Sequence, residues 1–258
     1  MSNRGIYIKQ TGIWKEVQIP SIKQDGDWKD TQKGFYKLNG EWKQFYPSTG
    51  SIEFTQVGNY SFIIPPGIHT VNIDIVGGGG GGGGSNEVDA GGGGGGGGSG
   101  GSYIAGPLAV TPGEVVSIRV GAGGPGAPFV GRTYAAPAGT HGGSSSITSS
   151  LGSLLVSGGG EGGGGFTNGP GYAGAAGTPN GNSGGQGSAN GGESDQTGGA
   201  GANSPFGTGG ASPSVSVSTG NPGTGHGSGG SGASALNRAG PLNWRGGAGA
   251  PGLVRISW

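Results

Sequence analysis

Cysteine is absent from this 258-residue chain, and charged residues make up only 10% of it. Without cysteine the chain has no disulfide framework, no thiolate metal site and no thiol nucleophile. No apolar run is long enough to span a bilayer, so we expect no membrane insertion. The first residues also lack the apolar stretch of a secretory signal, and we therefore expect synthesis in the cytoplasm.

Material for a conventional hydrophobic core is also scarce. Hydrophobic residues make up 30% of the chain, which contains 72 glycines and 16 prolines. Such a composition usually indicates disorder, because too little area is buried to offset the backbone entropy lost on ordering. Disordered chains are typically rich in charge, however, and this chain has little. We therefore expect backbone packing to order the glycine tracts.

The distribution of lysine divides the chain in two. Every lysine lies between Lys9 and Lys43, although the net charge of the whole chain is zero. We predict an N-terminal module over residues 1–50 and a glycine-rich module over residues 51–258.

A threefold repeat around tryptophan marks the first module. Each unit places a turn-forming pair before its tryptophan, and the pairs are Thr11-Gly12, Asp25-Gly26 and Asn39-Gly40. Pairs of this kind favour two-residue type I′ turns, so the repeat predicts three β-hairpins. In that register Lys9 faces Trp14, Lys23 faces Trp28 and Lys37 faces Trp42.

Two interpretations of the tryptophans remain open. They form a private core for the small module, or they present three equivalent surfaces to a partner. A threefold repeat in one chain matches a homotrimer without leaving any protomer unpaired, and tryptophan is a preferred interface anchor.

The second module opens with strand patterns over 52–54, 60–64 and 70–76, which predict a β-meander. Further strands are predicted over 103–105 and 114–120, as a pair around the Pro112-Gly113 turn. The final segment, residues 252–258, is also a strand pattern, and we expect it to pair with residues 70–76.

Glycine runs at 77–84 and 91–98 flank a short polar insert, which predicts two antiparallel helices joined by a loop. Polyglycine adopts an extended threefold helix of polyproline II type, without internal hydrogen bonds. Its N–H and C=O groups point outward, so neighbouring helices satisfy one another. Further runs follow as far as 246–247, separated by irregular segments.

Enzyme chemistry finds little support. Residues 121–126 match G-x-G-x-x-G, but no helical pattern follows, and the lack of lysine in the second module excludes a Walker A loop. His69, His141 and His226 are too far apart in the sequence for a metal site. The carboxylates lie beside glycine runs with nothing to desolvate them. We expect no enzymatic activity, no metal and no cofactor.

Nucleic-acid binding is also disfavoured. The large module carries only scattered arginines, and the lysines of the small module alternate with carboxylates. We expect no nucleic-acid partner.

Four segments of the second module, 60–84, 115–124, 154–160 and 247–258, resemble the glycine-rich domains of phage tail proteins. Together with the tryptophan repeat, the whole chain resembles the receptor-recognising adhesins at the long tail fibre tip of T-even-type bacteriophages. The resemblance implies a location in the virion, at the tip of the long tail fibre, and synthesis in the host cytoplasm. It implies two partners: the distal tip of the trimeric long tail fibre protein and a bacterial outer-membrane protein receptor.

The fold class predicted is mostly irregular and all-β. A small N-terminal three-hairpin β module precedes a glycine-rich sandwich of packed polyglycine II helices with a few β-strands. The alternative function is that of a glycine-rich structural or ice-binding surface protein. An ice-binding face would need a strict Gly-x-x period, and the segments between the glycine runs are too long and irregular for that.

The residues assigned to each partner follow from these predictions. Fibre attachment is assigned to Trp14, Trp28 and Trp42. Receptor binding is assigned to loop residues that no strand pattern explains, with Trp244 the first candidate to pack back onto the glycine layers instead: Asn86, Val88, Phe129, Tyr134, Phe166, Tyr172, Phe206, Leu236 and Trp244.

Overall fold

The structure is a computed structural model, and its described part contains strands and extended segments but no helix recognised as α or 3₁₀. In the strands before residue 47 only the backbone is described. The described residues are 6–10, 13–17, 21–24, 26–30, 34–38, 40–46, 49–85, 95–129, 136–165, 174, 177, 180–187, 196–213, 219–235 and 245–258.

Six strands form three separate antiparallel hairpins before residue 47: β1 (Ile6–Gln10) with β2 (Ile13–Val17), β3 (Ser21–Gln24) with β4 (Asp27–Asp30), and β5 (Gly34–Leu38) with β6 (Glu41–Tyr46). The predicted register is confirmed, because Lys9 pairs with Trp14, Lys23 with Trp28 and Lys37 with Trp42. Gly26 and Gly40 have φ values of +92° and +86°, as a type I′ turn requires.

The later strands are β7 (Ser51–Phe54), β8 (Gly58–Ile63), β9 (Thr70–Val76), β10 (Tyr103–Ala109), β11 (Val115–Val120), β12 (Ser145–Ser149), β13 (Gly152–Val156), β14 (Phe206–Thr208), β15 (Thr224–His226) and β16 (Leu253–Ser257). Eight of them form two four-stranded antiparallel sheets, with the orders β10-β9-β16-β7 and β13-β12-β11-β8. Strands β14 and β15 form a separate hairpin.

The pairing corrects two predictions from the sequence. Strands β7, β8 and β9 exist but form no meander, because β7 pairs with β16, β8 with β11, and β9 with β10 and β16. Strands β10 and β11 lie in different sheets and do not pair with each other. The predicted pairing of the closing strand β16 with β9 is confirmed. In the glycine-rich module, unlike the three hairpins, local turn signals place strands but do not determine their partners.

A hydrophobic core lies between the two sheets. Alternate residues of β9 and β11 point into it, as expected when one face of each sheet is solvated. The buried cluster contains Ile64, Ile68, Val71, Ile73, Ile75, Leu108, Val110, Val116, Ile118, Val120, Ile147, Val156, Val254 and Ile256. The limited apolar content of the chain is therefore concentrated here.

The run at 77–84 continues directly from β9 and forms no internal hydrogen bond. Its N–H groups donate to neighbouring segments in turn, with a period of three: Gly77 and Gly80 donate to Ser102 and Ser99, Gly78 and Gly81 to Gly143 and Thr140, and Gly79 and Gly82 to Ala250 and Gly247. A period of three without internal bonds is the geometry of polyglycine II.

Its carbonyl groups accept with the same period from three further segments. The donors are Gly124 and Ala127, Gly159 and Gly162, and Gly230 and Ala233. The 77–84 helix is thus bonded to segments on all sides: 95–102, 136–143 and 245–250, which run antiparallel, and 121–127, 157–165 and 227–235, which run parallel. The prediction of packed polyglycine II helices is confirmed.

The predicted antiparallel relation of the first two glycine runs is also confirmed. Partner numbers fall as the first run advances, since Gly77, Gly80 and Gly83 donate to residues 102, 99 and 96. The 95–102 helix in turn donates to 227–235, 157–165 and 181–187. Backbone hydrogen bonds therefore hold this half of the molecule together.

Only glycine fits along residues 77–83 of the central helix. A Cβ atom on Gly80 would lie closer than 3.0 Å to the carbonyl oxygen of Gly160, and the same kind of clash occurs along residues 77–83. Because those oxygens belong to backbone that is itself hydrogen-bonded, no side-chain movement relieves the clash. The sequence needs its glycine runs for close backbone packing.

Candidate functional site: the free end of the glycine helices

The two ends of the glycine bundle differ in what they connect to. At one end the helices run directly into the sheets, since residues 77 and 121 follow β9 and β11, and residues 103 and 253 begin β10 and β16. The sheets therefore fix this end, and the opposite end is free of them. We call the opposite end the free end.

The chain leaves the described part of the bundle repeatedly at the free end. The flanking residues there are 85 and 95, 129 and 136, 165 and 174, 187 and 196, 213 and 219, and 235 and 245. Hydrogen bonds hold several of them in one layer: Gly84 donates to Pro137 and accepts from Gly165, Gln196 and Ala235 bond in both directions, and Gly220 donates to Arg245. All six segments between these pairs thus start and finish at one end.

This common origin follows from the antiparallel alternation. Helices that lead away from the sheets alternate with helices that lead back toward them, so the flanking residues of the distal connections lie at the same end. The buried hydroxyl of Ser85 donates to the carbonyl oxygen of Ser234 at 2.8 Å, which links the ends of two helices. A rigid bundle therefore anchors both ends of every such segment.

The predicted receptor residues divide into three groups. Phe129 is described at the free end, two residues beyond the 121–127 helix, and its relative exposure is 39%. Seven others belong to segments that start and finish at this end and lie outside the described residues: Asn86, Val88, Tyr134, Phe166, Tyr172, Leu236 and Trp244. Phe206 forms the third group.

Phe206 lies in β14, near the junction of the bundle with the sheets. Its ring packs edge-on against Tyr103, with 5.6 Å between centroids, and the guanidinium of Arg255 lies 5.4 Å from its centroid. Burial raises the pKa of Tyr103, and the hydrogen bond that its hydroxyl donates to Asp74 raises it further. The structure thus corrects the prediction that Phe206 lies in a tip loop with the other aromatics.

Two glycine helices between β14 and β15 were not predicted from the sequence. Residues 209–213 lead away from β14, and residues 219–223 lead back to β15. The signals were weak but present: Gly209-Gly210 in the first and Gly220 with Gly223 in the second. Short runs interrupted by other residues still form bundle helices where a side chain can point outward.

The predicted attachment residues Trp14, Trp28 and Trp42 each lie in the second strand of a hairpin. Their backbones occupy equivalent register positions opposite a lysine. The hairpins precede Ser51, which lies beside Ser257 at the end of the sheets farthest from the bundle. The hairpin module therefore joins the molecule at the end opposite the free end.

In the described part, neither the glycine-rich segment 121–127 nor the histidines show the geometry of a nucleotide or metal site. Residues 121–127 form a bundle helix in which Gly124 donates to Gly79, so this N–H is not available to a phosphate. His141 and Glu161 lie on adjacent helices, with 2.5 Å between Nε2 of His141 and Oε2 of Glu161. Among the described residues no group of three or more His, Cys, Asp or Glu side chains is placed to hold a metal ion.

This architecture defines a glycine-rich, mostly β protein. Residues 55–258 match the model of the glycine-rich domain family, so the chain belongs to that family. No curated protein matches the chain. Within the described residues no helix is long and apolar enough to cross a membrane.

Proposed function

We propose that this protein is a tail fibre tip adhesin of a bacteriophage. In this proposal its N-terminal module attaches to the distal end of the trimeric long tail fibre protein. The free end binds an outer-membrane protein of the bacterial host. The protein is then part of the virion and performs no catalysis.

The observation that carries the proposal is the difference between the two ends of the glycine-rich module. Six chain segments start and finish at the free end, whereas the hairpin module joins at the opposite end of the sheets. An adhesin needs this arrangement, because one end has to face the virus and the other the cell. A flat ice-binding face or a structural filament does not need segments gathered at one end.

The rigidity of the bundle also supports the proposal. Because backbone hydrogen bonds hold the flanking residues, the sequences between them can differ without loss of the scaffold. The segments at the free end contain Tyr134, Phe166 and Tyr172, and aromatic side chains give large contact area at low entropy cost.

The test is binding to whole cells by the purified full chain. Fluorescently labelled protein is added to a panel of Gram-negative strains, each lacking a single outer-membrane protein. We expect binding to the parent strain, loss with one deletion, and recovery when that gene is restored. The control is a variant in which residues 166–173 are replaced by a Gly-Ser linker of the same length.

Equal binding to every strain by both the wild-type protein and the linker variant would contradict the proposal. So would binding that survives protease treatment of the cells, because the receptor in this proposal is a protein. Melting curves of the linker variant show whether the bundle itself is intact.

A further inference from the structure

Each of the two sheets carries an arginine on a central strand, and the two arginines differ in the charge of their cross-strand neighbours. In the first sheet Arg255 lies on β16, and its cross-strand neighbours are Asp74 and Glu53. Both carboxylates contact its guanidinium, at 3.5 Å and 2.6 Å. The stronger hydrogen bond to Glu53 raises the pKa of Arg255 further above its usual value. This cation is therefore paired with two carboxylates of the protein.

In the second sheet Arg119 lies on β11, and its cross-strand neighbours are Asn59 and Ser146. Both are neutral hydrogen-bonding residues. Arg119 is exposed, and no hydrogen bond or ion pair joins its side chain to any residue in the described part of the chain. Its charge is therefore available to a ligand.

Two shallow depressions meet at Arg119. One, of about 490 Å³, lies along the junction of β8 and the first bundle residues and is lined by Val57, Asn59 and Ala122. The other, of about 380 Å³, crosses the sheet face and is lined by Ser117, Ser146 and Thr148. Asn59 and Arg119 belong to both, so the two form one groove, which we call the Arg119 groove.

The lining of the Arg119 groove defines a ligand chemistry. Hydroxyl and amide groups donate and accept hydrogen bonds, which suits the hydroxyl groups of sugars. The guanidinium is the only charged group among the lining residues, and it binds carboxylate or phosphate through two parallel hydrogen bonds. A shallow groove that is open to solvent and crosses from the bundle junction to the sheet face fits an extended chain better than a compact small molecule.

We infer that the Arg119 groove binds an anionic oligosaccharide, with a carboxylate or phosphate group on Arg119 and sugar hydroxyls on Asn59, Ser117, Ser146 and Thr148. The groove lies on the side of the sheets and not at the free end. It is a second site, and it stands or falls independently of the protein receptor proposed above.

The experiment uses the full chain and measures binding by saturation-transfer NMR and titration. The probes are trigalacturonic acid, its fully methyl-esterified form, and inorganic phosphate. We expect the acid to bind, the neutral ester to bind about tenfold more weakly, and the acid's affinity to fall as salt is added. Inorganic phosphate is expected to compete poorly, because it makes none of the sugar contacts.

Three variants test the assignment to Arg119. Arg119→Gln removes the charge, and Asn59→Asp places a carboxylate beside Arg119, which reproduces the arrangement around Arg255. Both are expected to weaken binding of the acid about tenfold, as loss of a charge-assisted pair implies. Arg245→Gln removes a comparable exposed charge at the free end and is expected to leave the affinity unchanged.

Melting curves of all three variants show whether a loss of binding reflects the groove or the fold. The inference is overturned if Arg119→Gln binds the acid as tightly as wild type, or if the neutral ester binds as well as the acid. It is also overturned if inorganic phosphate competes with equal affinity, because the groove would then bind simple anions only. The inference is likewise overturned if none of the three probes binds the protein.

Discussion

Gly50 and Trp258 exchange a reciprocal pair of backbone hydrogen bonds, 2.9 Å from the N–H of Gly50 and 3.0 Å from the N–H of Trp258. The pair joins the residue just before the glycine-rich module to residue 258, which follows β16. The indole of Trp258 lies against Gly50, where a Cβ atom would come within 2.6 Å of a ring carbon, and it also packs on Phe62. The connection to the hairpin module is therefore held where it enters the sheets.

The first prediction concerns this connection. Gly50→Ala is expected to displace the indole and break the reciprocal pair, because the added methyl group needs the space that the ring occupies. Hydrogen exchange of the Gly50-position and Trp258 amides should accelerate about tenfold or more, since exchange reports local opening. Unchanged exchange at both amides would show that the indole moves without cost. Gly152→Ala is the control, because a Cβ atom added there would lie 3.9 Å from Cδ1 of Leu108, its nearest contact outside the adjacent residues.

The second prediction concerns the bundle interior. Gly80→Ala places a methyl group against the carbonyl oxygen of Gly160, so we expect a loss of roughly 1–3 kcal/mol of stability or more. Gly152→Ala should change stability by less than about 1 kcal/mol. Chemical denaturation of both variants measures the difference. Equal stabilities would mean that the bundle can widen to admit a side chain.

The third prediction concerns acid stability. Hydrogen bonds from the Ser150 side chain, then from the N–H groups of Ser150 and Thr111, lower the pKa of the Glu114 carboxyl. A lowered folded-state pKa stabilises the fold above the normal glutamate pKa, and this contribution is lost as pH falls through the folded value.

Glu114→Gln should therefore reduce the pH dependence of the melting temperature between about pH 5 and pH 3, around the normal glutamate pKa. Melting curves across this range, compared with Glu53→Gln, provide the measurement. If wild type and Glu114→Gln show parallel pH profiles, the turn hydrogen bonds contribute nothing to acid stability.

The fourth prediction separates receptor binding from packing. Tyr134→Ala, Phe166→Ala and Tyr172→Ala are each expected to abolish or shift host-cell binding with little change in melting temperature. Phe206→Ala should lower the melting temperature and leave host-cell binding nearly unchanged, because its ring packs on Tyr103 and Arg255. Cell binding and melting curves are recorded for each variant. Loss of stability without loss of binding in the first three would reject their assignment.

The fifth prediction concerns fibre attachment. Combined replacement of Trp14, Trp28 and Trp42 by alanine should release the protein from the trimeric fibre tip, as measured by co-purification. The control replaces the opposite lysines, Lys9, Lys23 and Lys37, which share the same register pairs. A folded tryptophan variant that still co-purifies would make the tryptophans internal core only.

Local structure was predictable wherever a short-range rule governs it. The pairs Asp25-Gly26 and Asn39-Gly40 dictate two-residue turns, and the turns fix the register that places each lysine opposite its tryptophan. The runs at 77–84 and 91–98 likewise predicted antiparallel helices, because glycine without a side chain leaves backbone hydrogen bonding as the main interaction.

Sheet pairing and the position of Phe206 depend on contacts between distant parts of the chain. Strand β7 is followed closely by β8, yet it pairs with β16 near the other end of the sequence. The sequence by itself determined which segments extend, where they turn and where only glycine is tolerated, since these follow from backbone sterics. Only the tertiary structure decided which strands pair, that Arg119 lacks the carboxylates that Arg255 has, and that six segments start and finish at one end. These features depend on how separate hydrogen-bonded helices and sheets pack together.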